Sequence, residues 1–319
     1  MAHSRDLKRP KRLEPGDAVA VLAPASPLKR GQRKTVDLSL STLKDWGLTP
    51  QLPPGIWSRS GYLAGSDEHR AKQLHWAFAD EEIRGIFCLR GGYGSMRVLP
   101  LLDPEILRAN PKVFVGYSDL TAILVHLLQV GGMVAFHGPT LSSPDLADGS
   151  QSPTSRSLFQ AVIEGCIPEP IAGEPWRGGV AEGPLLGGCL SILSSMLGTQ
   201  FAPHLEDAIL FLEDVKEPMY RIDRMFHQLA FSGALDGIRG LLLGCIDPAD
   251  ELRGIVAESI GHLNVPVLFG VPSGHGATNL TLPLGTRVRL DGDQGLLIFL
   301  ECAVEGTSQP LAESAHKMD

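Results

Sequence analysis

The sequence predicts an α/β protein whose first half is a mostly parallel sheet covered by helices on both faces. Three observations carry that reading. Short apolar runs alternate with helical stripes over residues 17–140, the pattern of strands joined by crossover helices. Residues 112–130, KVFVGYSDLTAILVHLLQV, compress that unit into one stretch. At 319 residues the chain also has length for two domains of about 150 residues each.

Taken in order, residues 18–23 (AVAVLA) form a first buried strand closed by Pro24. Residues 32–46 carry Val36, Leu40 and Leu43 on a helical stripe, stopped by Gly47. A second helix fits residues 67–79, with Ser66 as N-cap, two acids in its first turn, and Leu74 and Phe78 on one face. Residues 85–89 (GIFCL) read as a strand ending in Arg90-Gly91-Gly92-Tyr93-Gly94-Ser95, and Pro104 opens a short helix. In the 112–130 stretch an apolar run breaks at Gly116, presents Ser118, and passes into a helix with Leu120, Ile123, Leu124, Leu127 and Leu128 on its apolar positions. A strand over 133–136 then ends in His137-Gly138-Pro139. Ligands of such sheets bind at the carboxyl ends of the strands, where the GGYGS loop and Ser118 both fall.

From residue 141 to 182 Pro, Gly, Ser and Asp dominate, with one short helical piece near 158–163. This composition marks an inter-domain crossover. Beyond it, 187–198 (GGCLSILSSMLG) reads as a buried helix, and 208–212 as a strand running into Glu213 and Asp214. Pro218 starts a helix with Ile222, Met225, Phe226 and Leu229 on one face. A strand (239–246), a helix (251–263) and a strand (265–269) follow, and 287–290 and 296–301 flank a DGDQG hairpin signal. The division expected is an N-terminal α/β domain over 14–145, a crossover over 146–182, a C-terminal domain over 183–304 and a disordered polar tail over 305–319.

Composition excludes several function classes. The formal net charge is −8 and the basic residues cluster only at Lys8 to Arg12, which argues against a nucleic-acid or anionic-membrane surface. The opening MAHSRDLKRPKRLEPGD has no apolar core and no later run approaches a membrane span, so a cytoplasmic protein is expected. Five scattered cysteines, with no CxxC pair and no Cys/His metal spacing, read as reduced thiols without structural zinc.

A serine at a strand-to-helix turn reads in two ways, as a helix cap or as an exposed nucleophile beside N–H groups that stabilise negative charge. A nucleophile needs a base, an acid to orient the base, and oxyanion donors. His137 (FHGP) and His275 (SGHGATN) lie in turn-rich segments, whereas His69, His75, His126, His227 and His262 fall in helical ones. The acids near a strand end are Glu213 and Asp214, with Glu217 and Asp223 further on. Successive strand residues point to opposite faces, so Glu213 and Asp214 do not both face one base. GGYGS lacks the GxGxxG spacing, and its glycines suit an oxyanion, a phosphate or a simple turn equally.

Assembled in order, RGGYG (residues 90–94), GYSD (116–119), FHGP (136–139), GPLLGGCLS (183–191), FLEDVKEPMYRIDR (211–224) and GHGATNLTLPLG (274–285) resemble the LD-carboxypeptidases. These serine peptidases include muramoyltetrapeptide carboxypeptidase and the microcin C self-immunity peptidase, and the resemblance spans residues 14–303. It implies a flavodoxin-like N-terminal sheet domain and a β-rich, mixed C-terminal domain, with the active site between them. It also implies a triad of Ser118 as nucleophile, Glu213 as acid and His275 as base. The implied oxyanion hole is the backbone N–H of Asp119 with one from the Gly91-Gly92 turn. The implied substrate is a small peptide or muropeptide ending in a D-residue, cleaved without metal or cofactor by a homodimer. A peptidyl-nucleotide of the microcin C type is the alternative substrate, and a non-catalytic binding protein closing on a small carboxylate or sugar is the rival from another class. The sequence departs from the family at Gly187-Gly188-Cys189, where the family's third residue is usually Asn.

Overall fold

The computed structural model describes residues 7–149, 151–247 and 251–306. The chain runs β1 (Ala18–Leu22), α1 (Arg33–Asp45), β2 (Thr49–Gln51), α2 (Asp67–Ala79), β3 (Ile83–Cys88), α3 (Ser95–Val98), α4 (Pro104–Ala109), β4 (Val113–Gly116), α5 (Thr121–His126), β5 (Ala135–His137), α6 (Pro144–Ala147) and α7 (Pro153–Phe159). It continues through β6 (Ile171–Ala172), β7 (Glu174–Arg177), β8 (Val180–Cys189), α8 (Leu190–Met196), β9 (Ile209–Val215), α9 (Met219–Phe231), β10 (Gly240–Asp247), α10 (Leu252–Ile260), β11 (Val267–Phe269), β12 (Leu282–Leu284), β13 (Arg287–Asp291) and β14 (Leu296–Phe299).

Two sheets organise these elements. The first has the order β2-β1-β3-β4-β5-β12; β1 to β5 pair in parallel and β12 closes the edge antiparallel to β5. Its five parallel strands follow the flavodoxin-like order, which puts the switch point between β1 and β3. The second sheet, β6-β14-β13-β8-β9-β10-β11-β7, is mixed: β8 to β11 are parallel and the flanking strands antiparallel.

α5 belongs to the buried core that joins the two sheets. All six of its residues are buried, as expected for a helix apolar on every side. Its Leu124 shares one apolar cluster with Leu185 of β8 and Leu190 of α8, while a second cluster around Val19, Phe87 and Phe136 fills the other face of the first sheet. The helix that follows Ser118 is therefore held by both sheets.

Three sequence expectations change. Residues 187–189 end β8, and the helix begins only at Leu190. Gly187 and Gly188 stand at φ 136° and 143°, and a Cβ on Gly187 would lie 1.9 Å from the Phe211 carbonyl oxygen. Gly187 lets β8 lie flush against β9 and Gly188 lets it meet Thr121 of α5, long-range requirements that read locally as small-residue helix packing. The crossover is also more ordered than its composition suggests, since β6 pairs with β14 and β7 with β11. Finally, β12 lies in the part of the chain expected to form the C-terminal domain, yet it joins the first sheet. Its Pro283 is tolerated there because the strand is an edge.

The expected tail falls mostly on 307–319, outside the described residues. Its first residue, Glu305, pairs by backbone with Pro10 and Arg12. Among the described residues no helix is long and apolar enough to cross a membrane.

A Cβ on Gly188 would stand 2.6 Å from Thr121 Oγ1, at the start of α5. Gly188→Ala is therefore expected to destabilise the fold by roughly 2–4 kcal/mol, combining a Gly-only backbone conformation with an overpacked contact. A lowered midpoint in urea unfolding checks this, and an unchanged midpoint would show that the two sheets separate there without penalty.

Candidate active site

Ser118 sits at the tip of the β4 to α5 turn with φ 65°, a left-handed conformation that costs a non-glycine residue roughly 1–2 kcal/mol. Gly116 makes the turn sharp enough, since a Cβ there would meet Leu120 Cδ1 at 2.6 Å. The Ser118 hydroxyl caps neither the 3-10 turn over Ser118–Leu120 nor α5. Its partner is His275 Nε2 at 3.0 Å.

His275 reaches Ser118 from the loop between β11 and β12. Its Nδ1 lies 2.7 Å from Glu213 Oε2, and its backbone N–H donates to the same oxygen at 3.1 Å. Gly274, at φ 104°, permits this approach, because a Cβ would stand 2.4 Å from Oε2. The loop is pinned beneath by Asn279, whose Oδ1 accepts the Gly274 N–H and whose own N–H donates to Thr154 Oγ1 of α7.

Glu213 is completely buried on β9. Burial pushes its carboxyl up, but the imidazoles of His137 and His275 facing its oxygens outweigh that and hold it at about 2. For His275, burial works against the charged form, yet the Glu213 hydrogen bond and charge overcome it and raise the imidazole above its ordinary 6.5. Ser118, Glu213 and His275, from three separate segments, are thus brought together in one hydrogen-bonded chain.

The neighbouring acids go elsewhere. Asp214 points away from His275, its Oδ2 accepting the Ser191 N–H in the first turn of α8 and its Oδ1 the Val215 N–H. Cys189 precedes that helix, with Sγ 3.5 Å from Asp214 Oδ2, and its N–H donates to Thr121 Oγ1. Glu217 pairs with Arg221 one turn into α9, and Asp223 with His227.

The GGYGS loop lies against the serine. A Cβ on Gly91 would come within 3.0 Å of Ser118 Cβ and 3.2 Å of its Oγ, and Gly92 holds φ 105° beside Ser26. Ser26 Oγ accepts the Tyr93 N–H. Asp119 ties this loop to the serine turn: its Oδ2 accepts the Ser95 N–H at 2.8 Å, and its carbonyl accepts the Ser95 hydroxyl. Gly91 therefore packs directly on Ser118, Gly92 is the next residue of the same loop, and Asp119 follows the serine in the chain.

One contributor escaped the sequence reading, and one candidate base stands in a different place from the one expected. Arg70, fully buried on α2, donates to the carbonyls of Pro24 and Gly94 at 2.6 and 2.7 Å and so fixes the loops after β1 and β3 together. Its signal was a charged residue on the stripe shared with Leu74 and Phe78. His137, noted as a possible base, ends β5 and is buried with Nε2 3.7 Å from Glu213 Oε1. It does not meet Ser118.

Among the described residues no group of His, Cys, Asp and Glu is arranged to hold a metal ion. Comparison with known proteins matches residues 19–138 to the LD-carboxypeptidase N-terminal domain and 182–290 to the LD-carboxypeptidase C-terminal domain. A Streptomyces coelicolor protein provisionally named a carboxypeptidase is 40% identical over 303 residues, covering 92% of this chain and 96% of its own. Murein tetrapeptide carboxypeptidase of Pseudomonas aeruginosa is 34% identical over 294 residues, covering 86% of this chain and 94% of its own. A solved structure of the microcin C7 self-immunity protein MccF, a protein of Escherichia coli, superposes with TM-score 0.85 at 22% identity, covering 93% of this chain and 100% of its own, and so shares the fold. With family models matching both halves and relatives aligned along nearly the whole length, the chain belongs to the LD-carboxypeptidase family.

Proposed function

We propose that this protein is a serine-type LD-carboxypeptidase that releases the C-terminal D-alanine of a murein tetrapeptide. The observation that carries the reading is the chain Ser118 Oγ, His275 Nε2, His275 Nδ1, Glu213 Oε2, with steps of 3.0 and 2.7 Å, started by a serine held in a strained turn. A merely structural serine gives no reason for that strain, which concentrates at functional sites. The murein peptide follows from the Pseudomonas relative, whose name states that substrate.

In this reading His275 Nε2 takes the Ser118 proton as Oγ attacks the scissile carbonyl. Ionised Glu213 fixes the tautomer with hydrogen on Nδ1 and stabilises the imidazolium that forms. The N–H of Asp119 and one from the Gly91-Gly92 turn receive the developing oxyanion. His275 then protonates the leaving amine of D-alanine, and water, deprotonated by the same imidazole, releases the acyl group from Ser118.

Three outcomes are expected. Ser118→Ala removes a hydroxyl that makes no cap and leaves the left-handed backbone at that position as it is, so the protein folds, while alanine release from murein tetrapeptide falls by several orders of magnitude. The wild type ignores the L-Ala-terminated isomer and resists chelators. Alanine release by folded Ser118→Ala would overturn the serine mechanism.

Glu213→Gln leaves a neutral amide beside His275 and lowers kcat sharply. Asp214→Asn keeps an oxygen for the Ser191 N–H, and Glu217→Gln touches only an exposed pair, so both retain most of the rate per folded molecule. A crippling Glu217→Gln with a silent Glu213→Gln would redraw the acid.

The pH dependence follows from the raised His275. Activity needs the neutral imidazole, so the acid limb of kcat/KM has its midpoint above 6.5, the ordinary histidine value. In Glu213→Gln burial, the largest influence on His275, is no longer opposed by the Glu213 hydrogen bond and charge, and only the lesser, opposed charges of Asp214 and Lys216 remain beside it, so the residual activity has its acid midpoint moved down. A pH profile of both proteins reads the shift, and a midpoint unmoved by Glu213→Gln would uncouple the two residues.

A further inference from the structure

Glu213 has two oxygens, and the chain to Ser118 uses only Oε2. Oε1 is buried with no hydrogen-bond partner, and so are both ring nitrogens of His137. These groups face each other, with Nε2 3.7 Å from Oε1 and both side chains wholly buried. The imidazole is held edge-on between Tyr117, 6.0 Å away by ring centroid, and Phe211, at 5.1 Å. Its backbone lies beside Gly116 of β4 and Leu282 of β12, so the residue crosses from the first sheet to an acid on the second.

We propose that His137 is a positioning residue for the acid: it donates from Nε2 to Glu213 Oε1, so that two imidazoles on opposite oxygens clamp the carboxylate in register with Ser118. The gap exceeds a direct hydrogen bond by a few tenths of an ångström, and catalytic hydrogen bonds are often long in unliganded sites and shorten in the working complex. Among the described residues neither atom has another partner to lose by closing it. The aromatic walls leave tilt within the ring plane as the movement available.

The other titratable groups around the carboxylate do not compete for this role. Tyr117 and the Cys189 thiol are raised, first by burial and then by Glu213 itself, and stay protonated near neutrality. Asp214 is turned to Ser191 and reaches His275 only as a nearby negative charge that raises it, which the positive charge of Lys216 opposes. Between mildly acidic and mildly basic pH, the two imidazoles are what Glu213 answers to.

Removing the donor leaves the anionic charge concentrated toward His275 Nδ1, which makes the Glu213–His275 couple more basic. The inference about catalysis rests on the proposed serine mechanism, but the couple can be read without substrate. His275 is titrated by ring NMR in the wild type, His137→Phe and His137→Gln, with kcat/KM measured alongside over pH. In His137→Phe the His275 midpoint is expected to rise by roughly one pH unit. Below that midpoint kcat/KM drops about tenfold, one unit of basicity being a factor of ten, and it recovers well above it. His137→Gln, whose amide supplies a donor, brings the midpoint back toward the wild type.

If His137→Phe does not fold, His137→Asn, polar but too short to reach Oε1, carries the same expectation. A folded variant with an unmoved His275 midpoint overturns the proposal, as does His137→Gln behaving like His137→Phe. A uniform loss of rate at every pH with no NMR shift also rejects it, since that is a packing defect. Failure of the serine mechanism shows separately, as turnover independent of Ser118.

Discussion

The structure turns on the burial of one carboxylate between two sheets. An ion as completely enclosed as Glu213 is tolerated only where its lone pairs meet donors, since an uncompensated buried charge is strongly destabilising. The supply comes from both sides: the His275 loop gives two donors to Oε2, and the end of β5 sets an imidazole against Oε1. Much else is arranged to let backbone come that close. Gly274 clears the carboxylate, Gly187 clears the backbone of β9, and Gly188 clears Thr121. Docking of the two sheets and protection of the charge are thus one requirement.

Ser118 is the second point where local preference yields to the whole. Its positive φ persists because its surroundings over-determine it: α5 is buried on every side, Asp119 is tied to Ser95, and Gly91 packs on the serine itself. The GGYGS loop is in turn fixed by Arg70, whose guanidinium bridges Pro24 and Gly94 and is paired with Asp67. That arginine resists deprotonation even with burial working against its charge, so the bridge persists across the pH range in which the protein is folded.

What the sequence made legible was local. The strand, glycine break and helical stripe around Ser118 need only neighbouring residues, and period-two alternation on a short apolar strand separates Glu213 from Asp214 without any tertiary knowledge. The helices over α1, α2 and α9 followed from caps and stripes for the same reason. What escaped was set by distant partners. Gly187 and Gly188 resemble a close-packed helix start until β9 is known to lie beneath them. Two-residue β6 and proline-containing β12 owe their extended form to the sheet edges they join. His137 looked like a loop base because Gly138 and Pro139 follow it, yet the strand runs through it and carries its ring to the acid.

The Glu213–His275 couple also links folding to pH in two directions. Glu213, held at about 2 against an ordinary 4.5, contributes stability that is complete above 4.5 and lost as pH falls toward 2. His275 is raised above 6.5, so its contribution is complete below 6.5 and lost as pH rises through its folded value. The proton between them belongs to the pair and not to either residue. The pair therefore supports the fold most fully between about 4.5 and 6.5, while His275 is charged. A base must be neutral to take the Ser118 proton, so the proposed chemistry operates on the alkaline side of that window, where the contribution of the charged His275 is being given up. The apolar side chains that pack against the two sheets do not titrate, and they hold the site together there.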